Sequence, residues 1–416
     1  MKSLSALDLR YGAARFANMA IRPAVITAAA YFFGTASAQQ VSMIILSVAI
    51  AMLFMSIDPY RAYYKKHFNE QDSSREFIIY IIIIVIWISL ISAVMFTVMT
   101  IQQIPIYINM LCVFMFIGEK FADEILRFCL FKRDIAMWSN LVIKRSGIQF
   151  LGLTISILID KVEYSFPLLL ISFTLSWIFS FYGPVKDITS ILWKNYPVFW
   201  GEKFYRKAGS RIMSSVFLMA SSLMSSSPSY FDKIVTLLAD KASLPLFLIV
   251  SMSFSLIQSF VDFFFISRIR LELLQNNISL GRMIFSRKLL YCIVMGAVGG
   301  AVIIAIEALF LENIYRFDMV ILILVASINI ILAVTAIPLQ IVYWRDGPQG
   351  IFIAELGFFI PAAVLYLSLV GIQWTLASAL GVIAISLAVR FISYIIVSHR
   401  GAFVGWLLTA MERRNR

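Results

Sequence analysis

Apolar residues run through this chain in blocks separated by short polar stretches, and the blocks recur from one end to the other. Each spans about 18 residues or more, the length an α-helix needs to cross roughly 30 Å of hydrocarbon. The pattern predicts twelve spans, near residues 18–36, 41–57, 77–100, 104–126, 147–160, 165–182, 212–227, 244–266, 289–311, 318–343, 351–371 and 374–397. Two of them depart from the rest. The fifth has only fourteen apolar residues unless Lys144 and Arg145 snorkel at its inner end, and the seventh is rich in Ser.

Composition agrees with the pattern: 61% of the 416 residues are hydrophobic, 14% are charged, and the mean hydropathy is +0.88. The expected fold class is therefore an all-α integral membrane protein of about twelve transmembrane helices. Charge then orients it. Of the 35 Lys and Arg, 29 fall in the two tails and the even-numbered loops, and 4 fall on the other side: Lys161, Lys233, Lys241 and Arg316. Cytoplasmic loops carry the excess of bases, so both termini are expected in the cytoplasm. The net charge of +12 is accounted for by this sidedness, and no nucleic-acid partner is expected. Single cysteines at Ser74, Ser190 and Ser229, in a background lacking the native three, test the orientation. An impermeant thiol reagent applied to intact cells is expected to label only position 229; strong labelling at 74 or 190 would overturn the topology.

The longest polar stretch, 183–211, mixes Trp193, Phe199, Trp200 and Tyr205 with Lys194, Lys203, Arg206 and Lys207, the composition of a segment lying among lipid headgroups. Six spans precede it and six follow. The expected organisation is an N-terminal six-helix half at 1–182, an interfacial linker at 183–211 and a C-terminal six-helix half at 212–416, the halves flanking a central cavity. "ASAQQ" at 36–40 has the small-x-small form of a signal cleavage site, but a 22-residue lead with four bases suits a retained first helix.

Little points to enzyme chemistry. His67 and His399 each lie beside bases at a helix end, and Cys112, Cys129 and Cys292 sit in or next to apolar helices, so neither a disulfide nor a metal site is expected. No phosphate-binding glycine loop, HExxH pair or nucleophile elbow occurs. Gly296 and Gly300 have the GxxxG spacing, with Gly299 beside them, and the pattern suits close helix approach.

Charge inside the spans is the informative signal. "FMFIGEKFADEILRFCLFKRD" (114–134) continues an apolar run into Glu119, Lys120, Asp123, Glu124 and Arg127. A lone base at that depth costs about 2.5–3.5 kcal/mol on insertion scales, so it needs a partner or water. Lys120 with Glu124, and Asp123 with Arg127, are four apart on one face, so the stripe can neutralise itself. The other reading is that this face lines a cavity open to the cytoplasm. Arg22, Asp262, Glu307 and Arg390 also lie inside or at the rims of apolar spans, as a central solute pathway requires.

The stretch from 221 to 274, with Asp232-Lys233 after the seventh span, a short amphipathic outer segment and a Ser- and Phe-rich eighth span, resembles O-antigen and polysaccharide flippases of the multidrug/oligosaccharidyl-lipid/polysaccharide exporter superfamily. "YFFGTASAQQ", with the first span ending at Gly34, is similar to the same family, while "ASLPLF" stands where the family often has Gly-x-Tyr. The resemblance implies a transporter of undecaprenyl-diphosphate-linked oligosaccharide, moving it to the outer leaflet of a bacterial inner membrane by alternating access. It implies membrane lipids, a polysaccharide polymerase and a chain-length protein as partners, and no cofactor beyond a proton or sodium gradient. A diphosphate needs positive charge, which nominates Arg22, Lys120, Arg127 and Arg390 as substrate contacts. Glu119, Asp123, Glu124, Asp262 and Glu307 are the candidates for holding those bases or carrying a coupling ion.

Three rivals are weighed against this. A multidrug antiporter of the same superfamily favours an acid-lined cavity. A polymerase or glycosyltransferase usually carries a large outer loop, whereas the longest here is 228–243. A major-facilitator transporter shows a Gly-rich basic motif between its second and third helices, and "SIDPYRAYYKKHF" has no Gly.

Overall fold

The computed structural model describes residues 6–55, 73–101, 104–131, 135–159, 168–181 except 170 and 179, 220–266 except 222, 286–316, 318–345, 347–368 and 375–414, with 186, 189 and 284. Among the described residues every regular element is helical and there is no strand. The helices are α1 (Ala6–Phe33), α2 (Thr35–Phe54), α3 (Ser73–Ile101), α4 (Ile106–Phe131), α5 (Ile135–Leu158), α6 (Pro228–Ala239), α7 (Leu244–Phe260), α8 (Arg287–Leu311), α9 (Met319–Arg345), α10 (Gly347–Ser368) and α11 (Leu376–Arg414). Residues 171–178 add a further helical stretch. Nine described helices are long and apolar enough to cross a membrane. The 26-residue α4 is not one of them, because its C-terminal half carries the Glu119–Arg127 charges. The linker at 183–211, apart from 186 and 189, and the seventh span before 220 lie outside the described residues.

The chain forms two compact units, one of residues 1–21 and 32–223, the other of 22–31 and 224–416. In the first, α4 packs on α2, α3 and α5. Small residues set these contacts: a Cβ on Gly118 would overlap the Trp177 indole, and one on Gly152 would overlap the Ser172 side chain. In the second, α7 packs on α8 and α9, while α11 packs on α6, α9 and α10. Phe247, Val250, Phe254 and Ile257 of α7 join Ile328, Leu332, Phe358, Leu380, Ile383 and Leu387 in one buried core.

Several boundaries differ from the hydropathy reading, each for a local reason. The second helix begins at Thr35, not near 41. Gly34 adopts φ +86°, a conformation few other residues accept, and this single residue ends α1. Ser37 then donates to the Phe33 carbonyl at 3.0 Å, so the polar "TASAQQ" is the first turn of α2 and not a bend. The fifth helix runs for 24 residues, because Arg145 does not snorkel: it is buried inside the helix and ion-paired. The segment 228–243 holds α6, which has Pro228 at its first position, where no backbone N–H is needed. Pro23, Pro338 and Pro361 all lie inside continuous helices.

The outward surface is apolar, as lipid contact demands. On α8, Tyr291, Val298, Val302 and Ile306 are exposed, while Leu289, Cys292, Gly296, Gly300, Ile303, Glu307 and Leu311 form the protein-facing stripe at helical spacing.

Candidate functional site

In the first unit the charges of α4 divide between two faces. Lys120 is buried, with its Nζ 2.5 Å from Glu124 Oε1 and 3.7 Å from Asp123 Oδ2. Spacings of three and four residues put these groups on one side of the helix. Glu119, about 100° around the helix from Lys120, turns to α5 and accepts from Arg145 Nη2; both residues are buried. The Arg127 side chain lies outside the described residues.

A polar seam continues from this pair. Gln149 Nε2 donates to Ser176 Oγ at 3.3 Å, and Gly152 meets Ser172, so α5 and the 171–178 helix run antiparallel. That register brings Ser180 level with Arg145 and Ser146. Arg145 Nε, Ser146 Oγ, Gln149 Oε1, Trp177 Nε1 and Ser180 Oγ are all buried and have no hydrogen bond among the described residues. Such groups in one layer are uncommon in a protein interior, where buried polar atoms are nearly always paired.

In the second unit Arg390 of α11 is 3% exposed and fully engaged. Its Nε donates to Glu355 Oε2 at 2.9 Å, and its Nη2 to Glu355 Oε1 at 2.6 Å and to the Ser225 carbonyl at 2.7 Å. The Tyr394 hydroxyl, one turn further along α11, donates to Glu355 Oε1 at 2.6 Å, and the guanidinium carbon lies 5.5 Å from the centre of its ring. The Ser225 contact follows from local sequence. The helix holding Ser225 is interrupted by a turn at Ser227 ahead of Pro228. Such interruptions free backbone carbonyls, which at membrane depth need another donor.

Asp232 of α6, also buried, accepts from Lys233 Nζ at 3.0 and 3.2 Å and from Ser251 Oγ at 3.4 Å, while Lys233 Nζ also donates to the Ser229 carbonyl. Glu307 of α8 is buried near Thr27 of α1. Gln258 of α7 donates to Asn329 of α9 at 2.8 Å. Asp262, in a single π-helical stretch at Val261–Ile266, is exposed, and Arg22 is half-buried and engaged in a contact.

The structure thus brings Lys120, Asp123 and Glu124 together on one face of α4 and pairs Glu119 with Arg145 on another. It gives Arg390 a carboxylate, Glu355, that the sequence reading passed over. Glu355 lies in the middle of "IFIAELGFFIPAAV", so a lone acid in an apolar span was the available signal. Tyr394 carried no signal, being one aromatic among many. No protein-family model, curated protein or solved structure matches the chain.

Proposed function

We propose that this chain is a transporter that carries undecaprenyl-diphosphate-linked oligosaccharide, such as an O-antigen repeat unit, from the cytoplasmic to the outer leaflet of a bacterial inner membrane by alternating access. The observation that carries the reading is that bases are buried in the helices and each is held by a carboxylate: Lys120 by Glu124, Arg145 by Glu119, Arg390 by Glu355. Replacing such pairs by packed hydrophobic residues is often neutral or stabilising, so their presence at membrane depth argues for a role beyond the fold. A diphosphate is the natural competitor for these carboxylates. It offers the planar oxygen pairs that a guanidinium binds through two hydrogen bonds, and a multiple charge for the lysine. The resting pairs keep the bases neutralised when no substrate is present, and substrate entry exchanges one anion for another.

Export of surface polysaccharide in cells lacking the chromosomal copy tests this. Lys120→Ala is expected to abolish export at unchanged protein level, and Lys120→Arg to retain part of it. The double change Lys120→Ala with Glu124→Ala separates the two roles of the lysine. If Lys120 meets substrate, the double variant stays inactive. Recovery would show that the lysine serves only Glu124 and would remove it from the substrate path. Efflux of cationic dyes with no saccharide export would favour the multidrug antiporter instead.

A further inference from the structure

The buried carboxylates described so far each have a cation: Glu119 has Arg145, Glu124 has Lys120, Asp232 has Lys233 and Glu355 has Arg390. Glu307 is different. It lies four residues before the end of α8, on the protein-facing stripe, and is 6% exposed between the buried Ile303, Ile304 and Leu311. Among the described residues no Lys, Arg or His pairs with it. Thr27 of α1 lies close to it, is itself 5% exposed, and makes no hydrogen bond through its Oγ1 among the described residues. One turn further along α1, the Tyr31 ring meets the Phe310 ring edge-on at 5.9 Å. The two helices therefore run parallel here, with Thr27 facing Glu307 and Tyr31 facing Phe310, and residues 22–31 belong to the same compact unit as α8.

An ionised carboxylate buried without a counter-charge is costly. A proton or a metal cation would remove the cost. Hard divalent cations such as Ca2+ and Mg2+ take six or more oxygen ligands. This site offers one carboxyl and one hydroxyl, and among the described residues no group of three His, Cys, Asp or Glu is placed to hold a metal ion. A proton needs only the carboxyl, and Thr27 Oγ1 is then a ready acceptor for the carboxylic O–H. The neighbouring elements do not supply an alternative charge. α7 carries no titratable side chain, and α9 carries only Tyr343 and Arg345, in its last turn. The α1 segment brings Arg22 and Tyr31, each of which makes contacts of its own. Beyond the end of α8 stand Glu312, Tyr315, Arg316 and Asp318, and beyond the start of α7 stand Asp240 and Lys241.

We infer that Glu307 is a proton-binding site, and that protonation and release at this carboxyl, with Thr27 as its hydrogen-bond partner, form the ion-coupled half of the transport cycle. The coupling role rests on the transport reading above; the proton site itself does not.

Infrared difference spectra of the full chain in lipid vesicles, recorded between acidic and alkaline baths, read the site directly. The expected result is a carboxylic-acid carbonyl band that rises with acidification, moves in heavy water, and is lost in Glu307→Gln. Thr27→Val removes the acceptor without touching the carboxyl, so it is expected to keep the band and move it to higher frequency. Absence of the band, or its persistence in Glu307→Gln, would overturn the proposal. Loss of the band on replacing potassium by sodium at fixed pH would overturn it in favour of a metal cation. Neither readout uses a saccharide, so failure here is separate from failure of the export assay.

Discussion

Glu355→Ala is expected to be the most damaging single change in the second unit. The Arg390 guanidinium is held at three points, two of them on Glu355, and is 3% exposed. Removing the carboxylate strands a permanent charge among apolar side chains, at a cost of about 3–5 kcal/mol for a buried pair that loses one partner. Thermal unfolding in detergent is expected to move down sharply, with export lost. Removing both charges, as Arg390→Leu with Glu355→Leu, is expected to recover much of the stability, since no unpaired charge remains. Recovery is expected to be incomplete. The Ser225 carbonyl and the Tyr394 hydroxyl each lose a partner, at about 1–3 kcal/mol for a buried group left unsatisfied. Adding Tyr394→Phe removes one of these and is expected to raise stability further. Export is the deciding readout. A stable double variant that still fails to export would show that the pair acts in transport, whereas a stable and active one would reduce it to a packing element and take Arg390 out of the proposed path.

How these groups came to light differs from residue to residue. The helices were legible because a span's length is set by the bilayer, and apolar runs of that length have few other uses in a folded chain. Pairing along α4 was legible for a similar reason: Lys120 and Glu124 lie four apart on one helix, and helical geometry alone brings them together. Pairs between helices were not. Arg145 reaches Glu119 across 26 positions and Arg390 reaches Glu355 across 35, and nothing in either local sequence says which acid faces which base. A snorkelling Arg145 was the cheaper guess from sequence, because a base near a helix end can always reach water. The ion pair changes that balance and lets α5 extend N-terminally past it to Ile135. Backbone breaks were legible only where a residue type demands them. Gly34 marks the end of α1 in this way, and Pro228 marks the start of α6, which packs against α11. Even the unit to which a residue belongs can escape local reading: α1 is one helix, yet residues 22–31 join the second unit while 6–21 stay with the first.

Adding a single methyl group to α8 is expected to have opposite effects at two glycines three residues apart. Hydrocarbon supplies no hydrophobic drive between helices, so α7 and α8 are held by close packing, and small residues at the contact allow it. A Cβ at Gly296 would lie 2.5 Å from the Ile257 Cα, and one at Gly300 would lie 2.8 Å from the Ser253 carbonyl oxygen. Both obstacles are backbone, which cannot rotate away as a side chain can. Gly296→Ala therefore has to push the helices apart along the whole contact, at the cost of overpacking, about 1–3 kcal/mol. Gly299 faces a different environment, where its Cβ would meet only the Leu256 Cδ1 at 3.4 Å, the end of a flexible side chain. There the substitution gains the helix preference of Ala over Gly, about 0.5–1 kcal/mol, with little steric cost. Thermal unfolding of the two variants in the same detergent is expected to separate them clearly, with Gly296→Ala well below the parent protein and Gly299→Ala at or above it. Equal losses at both positions would mean that glycine is required along α8 for some property other than contact with α7. Equal tolerance would mean that the two helices part without cost, and the buried face they share would then have to be loosely held.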